Sequence, residues 1–195
     1  MTIGKRVTNV LMIGVVSGLG LMALPSHADS FYPISSVTSD TAADDYLSAT
    51  NLIEGAGVGF DASAPHDRLG DWSGTWVTEY NGTDYFSSPP TPSARLVFDL
   101  GKNVALSEIS VWGYEATNAN GVRQFNLRFA TEADGTGGFG TSITLNPSFT
   151  IIQDSIPRQI CSFSTVHARY VELTPTDNFY GLVPAGGDRV GLGEV

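Results

Sequence analysis

Ala94-Arg95-Leu96-Val97-Phe98-Asp99-Leu100-Gly101 is the stretch whose reading decides the fold. Leu96, Phe98 and Leu100 fall two residues apart, so they share one face of an extended strand. Gly101-Lys102-Asn103 reads as a turn. A second strand follows over Leu106 to Tyr114, with Ile109 and Val111 on the core side and Ser110, Trp112 and Tyr114 on the opposite face. Phe125, Leu127 and Phe129 alternate with Asn126 and Arg128 in a third. Asp134-Gly135 and the glycines up to Gly140 form a long turn. Ile143 with Leu145, then Phe149 with Ile151, predict two short strands around Asn146-Pro147. Arg158 to Phe163 and Tyr170 to Leu173 are two more, and Val190 to Val195 closes the chain. No segment keeps a helical period. Many short strands at close spacing predict an all-β fold, an antiparallel sandwich or barrel.

The N-terminal region reads differently. Lys5 and Arg6 precede an apolar run from Val10 to Leu24, and Ser26-His27-Ala28 follows with small residues flanking a cut after Ala28. That order predicts a secretory signal over residues 1–28, and so a secreted, periplasmic or extracellular protein with no membrane insertion once the signal is gone. Residues 29–45 are rich in Ser, Thr and Asp and are expected to form a loose leader. Residues 46–195 form one sandwich domain, with no internal repeat.

Composition excludes several functions. Acidic residues number 20 against 10 basic ones, a net charge of −10, so nucleic acid is not an expected partner. Aromatic residues at 10% and 22 glycines fit a turn-rich β fold rather than disorder. Cys161 is the single cysteine, which excludes an internal disulfide framework, and its place between Ile160 and Phe163 predicts burial.

Catalytic motifs fail in their context. Gly135 to Gly140 spells G-x-G-x-x-G, but a dinucleotide site needs a helix to start there, and Thr141 to Leu145 reads as a strand. Gly70-Asp71-Trp72-Ser73-Gly74 is one residue off a hydrolase elbow and lacks its strand–turn–helix setting. His66 and His167 have no motif partner, and no H-E-x-x-H occurs. The chain is therefore expected not to be an enzyme.

The order of the pieces resembles the discoidin, or coagulation-factor C-type, domain of the galactose-binding-like jelly rolls, which include many bacterial carbohydrate-binding modules. The resemblance rests on Ala49 to Gly55, Thr75-Trp76, Ala94 to Gly101, Ile109 to Gly113, Phe125 to Gly135, Arg169-Tyr170-Val171-Glu172-Leu173 and Gly191-Leu192-Gly193-Glu194-Val195. It implies a jelly-roll sandwich. It also implies a structural Ca2+ near the chain ends, which by position falls to Glu54, Gly55, Thr75 and Glu194. Asp61, Asp67 and Asp71 stand nearby as substitutes. Calcium takes six to eight oxygen ligands in flexible geometry, which suits such a set. The resemblance further implies ligand recognition by end loops. Sugar binding needs a flat aromatic to stack on the ring and polar groups to read the hydroxyls. Tyr80, Asn81, Tyr85, Tyr114, Asn118, Asn120, Phe179 and Tyr180 supply both types on three loops. Asn120 can fill the family's Asn role, whereas Tyr114 stands near the place of its Arg, and Arg123 is the nearest arginine. Asn81-Gly82-Thr83 is also an N-glycosylation sequon. The expected function is a secreted, non-catalytic module that binds extracellular carbohydrate. The alternatives are an adhesion or matrix protein with a protein partner on a cell surface, and a secreted glycoside hydrolase.

Overall fold

Among the described residues seven strands form: β1 Ser36–Ser39, β2 Trp76–Val77, β3 Leu96–Val111, β4 Val122–Ala130, β5 Ser148–Thr150, β6 Gln159–Asn178 and β7 Gly191–Leu192. They belong to a computed structural model that describes residues 31–43, 45–53, 74–87, 93–154 and 157–195. The expected signal segment, Glu54, Gly55, Asp61, His66, Asp67 and Asp71 lie outside the described residues. Five strands pair antiparallel in the order β1-β3-β6-β4-β5, and β2 pairs antiparallel with β7. The expected all-β antiparallel sandwich is the observed one. Apart from two short 3-10 turns, Asp45–Leu47 and Ala49–Ile53, the described residues contain no helix.

Alternation builds the core as read. Leu96, Phe98, Phe125, Leu127 and Phe129 are buried and pack with Trp76, Leu173, Val190 and Leu192 in one cluster. Burial of side chains of this size stabilises by about 1.5–3 kcal/mol each, against the entropy of ordering the chain. Cys161 lies in the same cluster, and burial pushes its thiol pKa up to about 11. His167 is exposed on β6.

Four expectations need correction. Gly101-Lys102-Asn103 does not end a strand, because β3 runs through it with a register shift against β6 between Asp99 and Val104. The triplet is a bulge: Gly101 takes φ +76° and its N–H donates to Asp99 Oδ1 at 2.7 Å. Likewise the two strands expected over Arg158 to Leu173 are one strand, β6. Thr141 to Leu145 is irregular rather than a strand, although Ile143 and Leu145 still pack against the core. Finally, the expected leader carries β1, which pairs with β3 through Ser36↔Asp99 to Ser39↔Leu96. Trp76 ties that leader down by donating its indole N–H to Ser39 Oγ at 3.0 Å and to Thr41 O at 3.1 Å. The described unit accordingly spans Phe31–Val195 rather than beginning at residue 46.

The outer face of the sheet is closed by charge. Glu172 on β6 is 1% exposed although it lies on the face opposite Val171 and Leu173. Arg95 Nε and Arg128 Nε each meet its carboxylate at 2.6 Å, and the Phe139 ring lies under both guanidinium groups. Burial alone would raise the Glu172 pKa, but the hydrogen bonds and charges of Arg128 and Arg95 hold it below the usual carboxylate value.

Candidate functional site

The loops that follow β2, β3 and β6 converge on the segment that leads into β7. Asn81 N–H donates to Asp188 O at 2.9 Å and Tyr85 N–H to Gly187 O at 2.8 Å. From the second loop, Ala119 N–H donates to Ala185 O at 2.7 Å. Phe179 N–H donates to Ala119 O at 3.0 Å, which joins the third loop to the second. All three expected loops therefore form one cluster.

Two buried asparagines hold its centre. Asn120 Oδ1 accepts the N–H of Gly187 at 2.6 Å and of Arg189 at 3.2 Å. Asn178 Nδ2 donates to the carbonyls of Gly187 at 2.9 Å and Arg189 at 3.1 Å, and its Oδ1 accepts Tyr180 N–H at 3.0 Å. The two amides thus clamp both edges of the same short backbone segment. Gly186 and Gly187 let it fit, with φ of +83° and +105°. A Cβ on Gly186 would overlap Asn118 Oδ1, and one on Gly187 would overlap the Tyr180 ring. Only glycine combines that backbone with that closeness.

The expected ligand residues divide by exposure. Tyr80 and Tyr180 present their rings to solvent, at 61% and 48% exposed. Tyr85 is a core residue at 1% exposed, beside the Thr78 hydroxyl and the Ala94 backbone, and burial raises its pKa. Phe179 is buried as well and packs on Gly121. Asn120, 7% exposed, spends its oxygen on the loop backbone. Asn118 and Asn81 are half-buried: Asn118 Oδ1 accepts Asn120 N–H at 3.0 Å, and Asn81 Nδ2 donates to Tyr85 O at 2.7 Å. Tyr114 is half-buried against Gly121 and Gly191. Tyr85 and Phe179 are therefore closed off from solvent, and the Asn120 oxygen is engaged by the loop backbone.

Sequence reading put Asn178 on the third loop, Asn178-Phe179-Tyr180, without giving it a role, and did not single out Arg189. Arg123 is not at the cluster's centre, because its guanidinium is engaged with Asp177 at 2.6 Å. Arg189 is the arginine whose charge acts on Tyr114. Burial and Glu115 raise the Tyr114 pKa, and the nearby Arg189 charge opposes them. The Gly186-Gly187 pair was the available signal.

For the metal expectation, Thr75 and Glu194 are the described members of the set. Both are buried. The register Trp76↔Leu192 places Thr75 beside the Gly193-Glu194 end of the partner strand. Val195 N–H donates to Leu52 O at 3.2 Å, so the last residue is joined to the turn that leads to Glu54. Thr75 and Glu194 carry hydroxyl and carboxylate oxygens, donor types that calcium takes. Among the described residues no group of three His, Cys, Asp or Glu side chains is placed to hold a metal.

No protein-family model matches the sequence, and no curated protein does. Solved structures do match in fold. One is the family 32 carbohydrate-binding module of AlyQ, solved with 4,5-unsaturated mannuronic acid. It is 17% identical with a TM-score of 0.53, and the match covers 84% of this chain and 93% of that one. The family 32 module of C. perfringens NanJ, solved with galactose, is 13% identical with a TM-score of 0.50 and coverages of 82% and 89%. A further family 32 module, from a GH31 protein and bound to GalNAc, is 11% identical with a TM-score of 0.53 and coverages of 85% and 96%. The chain shares its all-β fold with these family 32 carbohydrate-binding modules.

Proposed function

We propose that this chain is an exported, non-catalytic module that recognises extracellular carbohydrate through the loop cluster around Gly186-Gly187. The fold alone does not carry a function, since one scaffold hosts many. What carries the reading is the Tyr180 ring. It is half exposed, its backbone is held by Asn178, and its side chain is backed by Gly187. An aromatic face fixed in this way can stack on a sugar ring with little loss of side-chain entropy on binding. Tyr80, next to Asn81 and so beside Asp188, gives a second exposed ring on the same cluster. The structural neighbours solved with sugars support the same reading.

A structural calcium near the chain ends belongs to this proposal. Thr75 and Glu194, with Glu54 and Gly55, would hold it, and it would join the first turn to the last strand without a disulfide. Thr75 and Glu194 supply side-chain oxygens, and the Val195–Leu52 hydrogen bond keeps the two segments together.

The test is a glycan array with wild-type protein, Tyr180→Ala and Tyr80→Ala, each with calcium and with chelator. Wild-type protein is expected to bind a restricted set of glycans, and Tyr180→Ala to lose at least tenfold in affinity. Absence of binding to every glycan at high protein concentration, or binding indifferent to both tyrosines, refutes the proposal.

A further inference from the structure

Among the described residues the arginines are almost all consumed internally. Arg95 and Arg128 share Glu172, Arg123 meets Asp177 and Arg158 meets Glu108, each at 2.6 Å, while Arg169 meets Asp99 at 2.8 Å. Arg189 is different. Among the described residues no carboxylate lies within ion-pair distance of its guanidinium, although Asp188 and Glu115 stand on the same loops. Acids are not scarce, since they outnumber bases by 20 to 10. The backbone that carries this guanidinium is held in place. The Arg189 backbone is clamped at its N–H by Asn120 and at its carbonyl by Asn178. The segment carrying it backs the exposed Tyr180 ring through Gly187 and meets the Tyr80 loop through Asp188.

We propose that the Arg189 guanidinium is a carboxylate-binding subsite of the loop cluster, and that the module prefers glycans carrying uronic acids to their neutral counterparts. The proposal rests on the carbohydrate reading above and names the ligand class for it. A guanidinium presents its donors as a planar fork that matches a carboxylate through two parallel hydrogen bonds, and such charge-assisted bonds are about twice as strong as neutral ones. A sugar stacked on Tyr180 leaves its ring substituents at the edge of the aromatic face, toward the segment that carries Arg189. The net charge of −10 does not forbid this, because at physiological ionic strength exposed charges are screened beyond about 8 Å and a direct contact is shorter than that.

The experiment uses polygalacturonate and alginate beside their carboxyl-reduced forms, which differ only in the acid group. Binding is measured by calorimetry at physiological salt for wild type, Arg189→Gln, Arg189→Lys and Tyr180→Ala. Wild-type protein is expected to bind at least one acidic polymer about tenfold or more tightly than its reduced form. Arg189→Gln is expected to lose about 10- to 100-fold on the acidic form and much less on the reduced form. Its melting temperature should hold, because the loop is fastened through the Arg189 backbone. Arg189→Lys keeps the charge without the fork and should fall between. Equal wild-type affinity for both forms, or an acid preference that survives Arg189→Gln, overturns the subsite while carbohydrate recognition stands. Failure to bind either acidic or neutral glycan overturns both readings.

Discussion

Replacing Asn120 by Ala separates two roles that the side chain could have. By residue type it could read a sugar hydroxyl, yet its oxygen accepts Gly187 N–H at 2.6 Å and Arg189 N–H at 3.2 Å inside the protein. Ala removes that acceptor and leaves both donors behind. The bond to Gly187 is buried, and an unmade buried hydrogen bond costs about 1–3 kcal/mol. The bond to Arg189 is partly buried, and water can replace some of it, so it adds less. The expected loss is about 3 kcal/mol. For a domain of this size each kcal/mol moves the melting temperature by about 2–4 °C, so calorimetry should record a fall of about 6–12 °C. Asn120→Asp keeps an acceptor for both donors and should lose less. Glycan binding by Asn120→Ala should weaken together with stability, because the segment that supports Tyr180 and Arg189 loosens. An unchanged melting temperature with binding abolished would refute this reasoning and return Asn120 to direct ligand contact.

The remaining predictions concern the ends and faces of the sandwich. The folded Glu172 pKa is depressed, so its stabilising contribution is fully present above the unfolded carboxyl pKa of about 4.3 and is lost as pH falls through the lower folded value. Glu172→Gln should therefore melt lower at pH 7, by about 1–2 kcal/mol given that both arginines are partly solvated, and its melting temperature should fall less on acidification; parallel acid limbs for variant and wild type would contradict this. Cys161, buried with its thiol pushed up to about 11, should not react with a thiol reagent at pH 8 until the protein is denatured; stoichiometric labelling of native protein would show the site to be open. Calcium at a hundredfold excess over its dissociation constant should add about 2.7 kcal/mol to stability over chelator, and Glu194→Gln should abolish the difference; no calcium shift in wild-type protein removes the metal from the proposal.

How much of the fold was legible follows from which rules are local. Phe125, Leu127 and Phe129 could be placed because a period of two admits only one buried face, and all three are in the core. Strand ends were not local. Gly101-Lys102-Asn103 has the composition of a turn, but a bulge uses the same residues, and only the pairing of β3 with β6 on both sides of the triplet tells them apart. The Ser-rich segment before Tyr46 looked loose for a related reason. The four residues of β1 have no core pattern of their own and are ordered by β3 and by the Trp76 indole, partners remote in sequence.

The site was legible as a set of loops but not as a set of roles, and the cause is burial. Tyr80 and Tyr85 stand five residues apart in one polar, aromatic stretch, yet one ring is mostly exposed and the other is sealed in the core. No property of the stretch itself decides between them. The decision comes from the Tyr85 N–H meeting Gly187 O, a contact that depends on where the third loop returns. Arg189 was hidden by the complementary problem. An arginine is ordinarily assigned to an ion pair in an acidic chain, and whether it has one depends on every carboxylate near it in space. Its unpaired state emerges only once Arg95, Arg123, Arg128, Arg158 and Arg169 are seen to take their carboxylates elsewhere. The proposed chemistry of recognition falls to residues whose side chains are left over after the fold has satisfied itself. That remainder is a property of the whole structure, which is why the proposed contacts fall to Tyr180 and Arg189 rather than to the buried Asn120.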